Sequence, residues 1–151
     1  WNIYHSIYKD LDQDLKSNVT LSMAYCSPRL WEARNLALTI PDTATVGKSL
    51  RDSRDAVRIS SFGETLHVIA SKQRPKRIGM QGSDGKQYKF LLKGHEDLRL
   101  DERVMQLFKL VNTLLLSHPH TSKIAGYQIQ RYTVTPLCDT VGLIGWVDEC
   151  D

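Results

Sequence analysis

The sequence predicts an α+β fold: an antiparallel β-sheet of about five strands with one packed helix, preceded by short helices. Two patterns predict it. From Ala56 onward, short runs rich in apolar and β-branched residues alternate with Gly, Ser and Asp turns. One stripe of helical period interrupts them: Val104, Leu107, Phe108, Val111, Leu114 and Leu115 at i, i+3, i+4, i+7, i+10 and i+11. The second half therefore reads β-β-β-β-α-β-β, and one helix on an antiparallel sheet is α+β.

Trp1, Tyr4, Ile7, Tyr8 and Leu11 open the chain at helical spacing, an aromatic face whose plain reading is core packing. Lys16-Ser17-Asn18 ends that pattern, and "TLSMAY" follows as a short extended segment. Ser27-Pro28 supplies an N-cap and a proline at the first helical position, opening a helix over Arg29 to Arg34. "NLALTIP" alternates Leu36, Leu38 and Ile40 and predicts a strand closed by Pro41. Residues 42–55 are polar, with mixed charge, and read as a loop. "AVRIS" and "LHVIAS" are strands joined by Ser60-Ser61-Phe62-Gly63-Glu64, and "SKQRPKR" is basic and exposed. "RIGMQG" and "QYKFLLK" form a hairpin around Ser83-Asp84-Gly85, where Asp-Gly tolerates positive φ. After the helix, "SHPHTSKIAG" is a loop. "YQIQRYTVTPL" and "GLIGWV" are strands joined by Cys138-Asp139-Thr140. Three blocks result: 1–16, 17–55 and 56–151.

The bulk numbers exclude more than they select. A chain of 151 residues can bury a real core. Apolar content of 41% and charged content of 25% are ordinary for a globular chain. Twenty basic against 17 acidic residues give a net charge of +3, which permits an anionic ligand and does not argue for nucleic acid. Cys26, Cys138 and Cys150 are odd in number and lack a CxxC pair, so no zinc site is expected and a reduced, cytoplasmic setting is. Asn18-Val19-Thr20 matches a glycosylation pattern that matters only in a secreted protein. No apolar run is long enough to span a membrane. The opening in mid-helix pattern at Trp1 and the end at Asp151 lead us to expect a piece of something larger.

"LLKGHEDLRLDERVMQLF" carries the chemistry. An apolar strand ends on one cation, Lys93. Glu96, Asp97, Asp101 and Glu102 follow, with Asp84 upstream across a turn. Alternation puts Tyr88, Phe90 and Leu92 on one side, expected to face the helix, and Gln87, Lys89, Leu91 and Lys93 on the other, the wall of a cleft. A lone strand lysine is usually a solvated edge charge. Here a carboxylate near a helix start, either Glu96 or Asp101, can hold the ammonium charged and in place. Breaking such a pair when buried costs about 3–5 kcal/mol. That arrangement suits an ammonium that must meet a phosphate, as in the lysine–carboxylate pair of protein kinases. The Ser60-Ser61-Phe62-Gly63 turn has N–H groups that can face phosphate oxygens. Trp146 can offer adenine a flat π surface, with Gly145 C=O and Val147 N–H as its main-chain partners.

"FLLKGHEDLRLDERVMQLFKLVNTLL", "SKQRPKR", "QIQRYTVTPL" and "GLIGWV" together resemble the phosphoinositide-3-kinase-related protein kinases, and within them the target-of-rapamycin (TOR) branch. "YCSPRL" and the Trp1 helix resemble the segment that joins the rapamycin-binding helices to the kinase domain. The resemblance implies the N-lobe of a serine/threonine kinase with an αC-type helix, using ATP and Mg2+. Lys93 would hold the ATP phosphates, with Glu96 or Asp101 as its acidic partner. Ser61 would lie in the phosphate loop, Ile59 and Leu91 would roof the adenine, and Tyr132 and Ile144 would line the deep pocket. Gly145, Trp146 and Val147 would be the hinge, and Trp1 and Tyr8 a remnant of the rapamycin-binding surface. Implied partners are protein substrates, TOR-complex subunits and the rapamycin–immunophilin complex, with any association with endomembranes made through the parent complex. Leu100 stands where these kinases usually carry Gln, and that position and "SDGK" are similar to the related RNA-decay kinase.

No DRHxxN or DFG motif occurs, so the metal ligands and the catalytic base are expected in the other lobe. This chain alone is expected to transfer no phosphate and to have no useful affinity for rapamycin. The alternatives are the N-lobe of the RNA-decay kinase or of a lipid kinase, or a non-catalytic module binding an anion through Lys72 to Arg77.

Overall fold

In the computed structural model, residues 3, 5, 6, 20–41, 43, 56–124 and 126–148 are described. The Trp1 and Tyr8 positions, nearly all of the 42–55 loop, and Cys150 lie outside them. The chain divides into two compact units, Trp1–Lys89 and Phe90–Asp151.

The first unit contains β1 (Thr20–Ser22), α1 (Met23–Cys26), α2 (Pro28–Glu32), β2 (Ile59–Phe62), β3 (Thr65–Val68) and β4 (Lys76–Gly82). It also holds the first three residues of β5 (Gln87–Gly94). β1 pairs with β3, β3 with β4 and β2 with β4, all antiparallel. Along β4, Ile78, Met80 and Gly82 are buried, while the alternating Arg77, Gly79 and Gln81 are half-buried on the opposite face. α2 opens on Pro28 at its first position as expected, although Ser27 makes no side-chain cap bond. "TLSMAY" is only half extended: after Ser22 it winds into α1, where fully buried Met23 donates its N–H to Glu64 O at 2.8 Å.

"NLALTIP" is not a strand. It runs beside β2 through backbone bonds such as Leu36 N–H to Ile59 O and Ile59 N–H to Leu38 O, both at 2.9 Å, yet only Thr39 and Arg58 form a strand-like bridge. Asn35 has φ 49°, and Leu38 is 61% exposed, so the alternation that looked like a half-buried strand has only Ile40 fully inside. The β4–β5 hairpin matches expectation. Gly85 takes φ 78°, and Asp84 accepts from Lys86 N–H at 3.1 Å and from the Tyr88 hydroxyl at 2.8 Å. Asp84 is thus committed within its own turn.

The second unit contains the rest of β5, then α3 (Arg99–Ser117), β6 (Val134–Cys138) and β7 (Val141–Gly145). β5 pairs with β7 and β6 with β7, both antiparallel. Seven strands are described in all, rather than about five. Leu98 (0% exposed), Met105 and Val134 form a buried cluster, with Val104, Phe108 and Ile144 packed on it. The helix's inward face runs through Val104, Met105, Phe108, Val111, Asn112 and Leu115, while Leu107 and Leu114 of the predicted stripe are 55% and 60% exposed.

Register corrects the face of β5. Leu91 lies opposite Ile144, and Ile144 packs on the helix cluster; Lys93 lies opposite Gly142. Directly paired residues share a face. The helix therefore packs on the Leu91–Lys93 side, not on the Phe90–Leu92 side. The apolar appearance of Tyr88, Phe90 and Leu92 led to the opposite expectation, but Phe90 and Leu143 are buried on the other face.

Candidate functional site

Lys93 is the penultimate residue of β5, followed by Gly94, which pairs with Val141. The chain then turns at His95, whose φ of 59° lies in the left-handed region. That turn returns Glu96 toward the strand it has just left. Glu96 N–H donates to Thr140 O in the β6–β7 turn at 3.2 Å. So anchored, the Glu96 carboxylate meets Lys93 Nζ at 2.8 Å, with the two side chains 26% and 40% exposed. Of the two acids left open by the sequence, Glu96 is the partner. It sits in the turn before α3, whereas Asp101 lies in the helix's first turn and forms no ion pair with Lys93.

The space around Lys93 also has a cause. Its cross-strand neighbour, Gly142, is buried, and a Cβ there would come within 2.6 Å of Leu98 Cδ1 and 3.0 Å of Thr135 O. The missing side chain lets Leu98 seat α3 directly over the sheet. Asp97 begins the helix by accepting from Arg99 N–H at 3.0 Å. Asp101 and Glu102 place negative charge at the positive end of the helix dipole. The Arg99 guanidinium, hydrogen-bonded to Asp97, holds that carboxyl below its usual range.

The remaining expected site residues of this unit lie around β7. Leu91 and Ile144 are half-buried cross-strand partners. Gly145 ends β7 and donates its N–H to Thr133 O at 2.8 Å. Trp146 and Val147 follow outside the ladder, both half-buried, and Trp146 Nε1 donates to Asp148 Oδ1 at 3.1 Å. Tyr132 is 38% exposed, in the stretch before β6 that carries no regular structure. That stretch shortens the predicted "YQIQRYTVTPL" strand to Val134–Cys138.

In the first unit, Ile59 is 5% exposed and forms backbone bonds with Leu36 and Leu38. Ser60, Ser61 and Phe62 are not a turn but the body of β2, with Ser61 paired to Gln81 and Phe62 buried against the strand. Gly63 N–H is already given to Gly79 O at 2.9 Å. Ser61 instead lines a concavity of about 560 Å3, with Trp31, Arg34, His67, Gly79 and Lys89 among its walls. The sequence "SKQRPKR" splits: Lys76 and Arg77 enter β4, and Ser71, Lys72 and Gln73 form the exposed β3–β4 turn, closed by Ile69 N–H to Pro75 O at 2.9 Å.

Among the described residues, no group of three or more His, Cys, Asp or Glu is placed to hold a metal ion, and no helix is long and apolar enough to cross a membrane. Residues that the sequence reading missed are Gly142, His95, Thr140 and Asn112. Their roles depend on cross-strand register or backbone angle, which no local pattern displays.

Residues 87–151 match the family described as phosphatidylinositol 3- and 4-kinase. The whole chain is 47% identical to the Drosophila melanogaster protein named serine/threonine-protein kinase mTor and 49% identical to the Arabidopsis thaliana serine/threonine-protein kinase TOR. It spans about 6% of the length of each. Identity to the Danio rerio serine/threonine-protein kinase SMG1 is 35% over 98% of the chain and 4% of that protein. A solved structure described as the FAT and kinase domain of CtTel1 superposes with a TM-score of 0.63 at 33% identity, over 72% of this chain and 8% of that one.

Proposed function

We propose that the chain is a segment of the target-of-rapamycin branch of the phosphatidylinositol 3- and 4-kinase family, and that it is the ATP-binding N-lobe of a serine/threonine protein kinase. Residues 56–151 would form the lobe, 17–55 the connection, and 1–16, with Trp1 and Tyr8, the end of the rapamycin-binding region.

The ion pair between Lys93 and Glu96 carries the reading. Lys93 presents an ammonium whose position is fixed by one carboxylate, and an ammonium has three donors. One goes to Glu96; the others serve the phosphates of ATP. Bound ATP would supply the phosphoryl group, and Mg2+ would neutralise its developing charge. Gathering charge at a fixed point is most of what phosphoryl transfer asks of a protein. Leu91 and Ile144 offer an apolar wall, Tyr132 a further side, and Gly145, Trp146 and Val147 the edge that reads the base. Ile59, buried and paired in β2, is a weaker candidate for direct contact. Ser61, half-buried in β2 and open to a concavity, is the phosphate-loop candidate of this reading. Magnesium ligands are assigned to the longer parent protein, as is the selection of protein substrates, TOR-complex subunits and the rapamycin–immunophilin complex. A cytoplasmic setting goes with this reading.

The test is Lys93→Met in the full-length kinase. ATP turnover should fall by at least about a hundredfold while the melting midpoint holds. Turnover that survives in a folded variant would refute the proposal.

A further inference from the structure

Asn112 is 9% exposed, the one buried polar side chain among the described residues. It lies on the inward face of α3, one turn beyond Phe108 and two beyond Met105. Both ends of its amide are used on a single residue. Nδ2 donates to Ile129 O at 2.9 Å, and Oδ1 accepts from Ile129 N–H at 2.8 Å. In effect the side chain imitates a strand neighbour for one residue of a segment that has none.

The segment is 126–133, which contains no helix or strand. It is held at two points. Ile129 is clasped by Asn112, and Thr133 O accepts from Gly145 N–H at 2.8 Å. Tyr132 lies between the two anchors, with its side chain exposed. A leucine at 112 would continue the apolar stripe and bury without penalty. An amide is costly there unless both its groups are bonded. What the amide adds is a fixed depth and register for the chain leading into Tyr132.

We infer that Asn112 is a positioning residue of the nucleotide pocket: from α3 it sets the 129–133 segment, and with it the Tyr132 ring. This rests on the ATP-binding reading above. Asn112 acts only through the backbone of Ile129 and touches no ligand itself. The same clasp ties the Tyr132 segment to α3, so a shift of the helix along its axis would be transmitted to the pocket wall.

The experiment uses the full-length kinase with Asn112→Leu and Asn112→Ser. Three quantities are read: amide hydrogen exchange in peptides covering 126–133, KM for ATP alongside kcat, and the melting midpoint. The expected result for Asn112→Leu is exchange in 126–133 faster by about tenfold, with exchange in β7 unchanged. KM for ATP rises roughly three- to tenfold, the range of one or two lost hydrogen bonds, with kcat within about twofold. A rise in exchange with KM unmoved overturns the inference, because the clasp is then structural only. Unchanged exchange in 126–133 overturns it too. If the leucine variant does not fold, the serine variant, which enters without overpacking, carries the same readouts. Failure of the unmodified kinase to bind ATP would instead strike the ATP reading and leave the exchange result standing.

Discussion

Two cations stand within seven residues of each other in the second unit, and they are held in opposite ways. Arg99 has the richer set of contacts. It reaches Asp97 through Nε at 2.9 and 3.1 Å and through Nη2 at 2.7 Å, and Asp139 through Nη1 at 3.1 Å. Among the described residues Lys93 has one ion-pair partner, Glu96 at 2.8 Å. Yet Arg99 and its acids are 59%, 47% and 82% exposed, against 26% and 40% for Lys93 and Glu96. The guanidinium is saturated by two carboxylates in open solvent. The ammonium is half-withdrawn, on the helix-bearing face of the sheet, with donors to spare. On the ATP-binding reading proposed above, contact number and shortness do not mark the functional group, and partial withdrawal from water and unspent hydrogen-bonding capacity do.

The comparison can be sharpened by removing one acid at a time. Glu96→Gln in the full-length kinase should lower ATP turnover by about tenfold, equivalent to ~1.4 kcal/mol of transition-state stabilisation, measured as kcat/KM. Its effect on stability should be small, about 0–1 kcal/mol, because the pair is too exposed for the buried-pair penalty to apply. A stability loss matching the full buried-pair figure would mean that the pair is structural. Arg99→Ala should leave turnover and the melting midpoint where they are, since every contact it loses lies in solvent; a turnover loss like that of Glu96→Gln would erase the contrast. The smallest effect is in titration. Arg99 holds the Asp97 carboxyl below its ordinary value. A depressed folded pKa contributes stability above the ordinary carboxylate value, and that contribution is lost as pH falls through the depressed one. Carboxyl NMR of Asp97 should thus show a midpoint below the ordinary range, raised toward it by Arg99→Ala, which removes the guanidinium and keeps the backbone N–H bond. An unchanged midpoint in the variant would remove Arg99 as the cause.

How legible this site was depends on the range of the signal. The hairpin at Ser83–Gly85 was readable because its chemistry is local to a few residues, and Gly85 does take positive φ. The α3 helix was readable from its period, although Leu107 and Leu114 face outward. Lys93 and its acidic cluster were readable as charge against an apolar run. The choice of Glu96 was not, because it turns on the left-handed His95 and on the Thr140 carbonyl, far away in sequence. The face of β5 was misjudged for a related reason: three apolar residues outvote Leu91 and Lys93 in composition, while register places the helix on the side of the two. Ser61 looked like part of a turn because small residues suit turns, but Phe62 needs burial and draws the segment into β2.

Reaction of the full-length kinase with an acyl-phosphate derivative of ATP tests the central claim most directly, because the reagent acylates a lysine amine lying beside the bound phosphates. Digestion and mass spectrometry then identify the modified residue. Lys89, four residues earlier in β5 and exposed, serves as the internal control. The account predicts that Lys93 is acylated and that excess ATP prevents it, while any labelling of Lys89 is unaffected by ATP. A Lys93 that stays unmodified, or is modified equally with and without ATP, would contradict it.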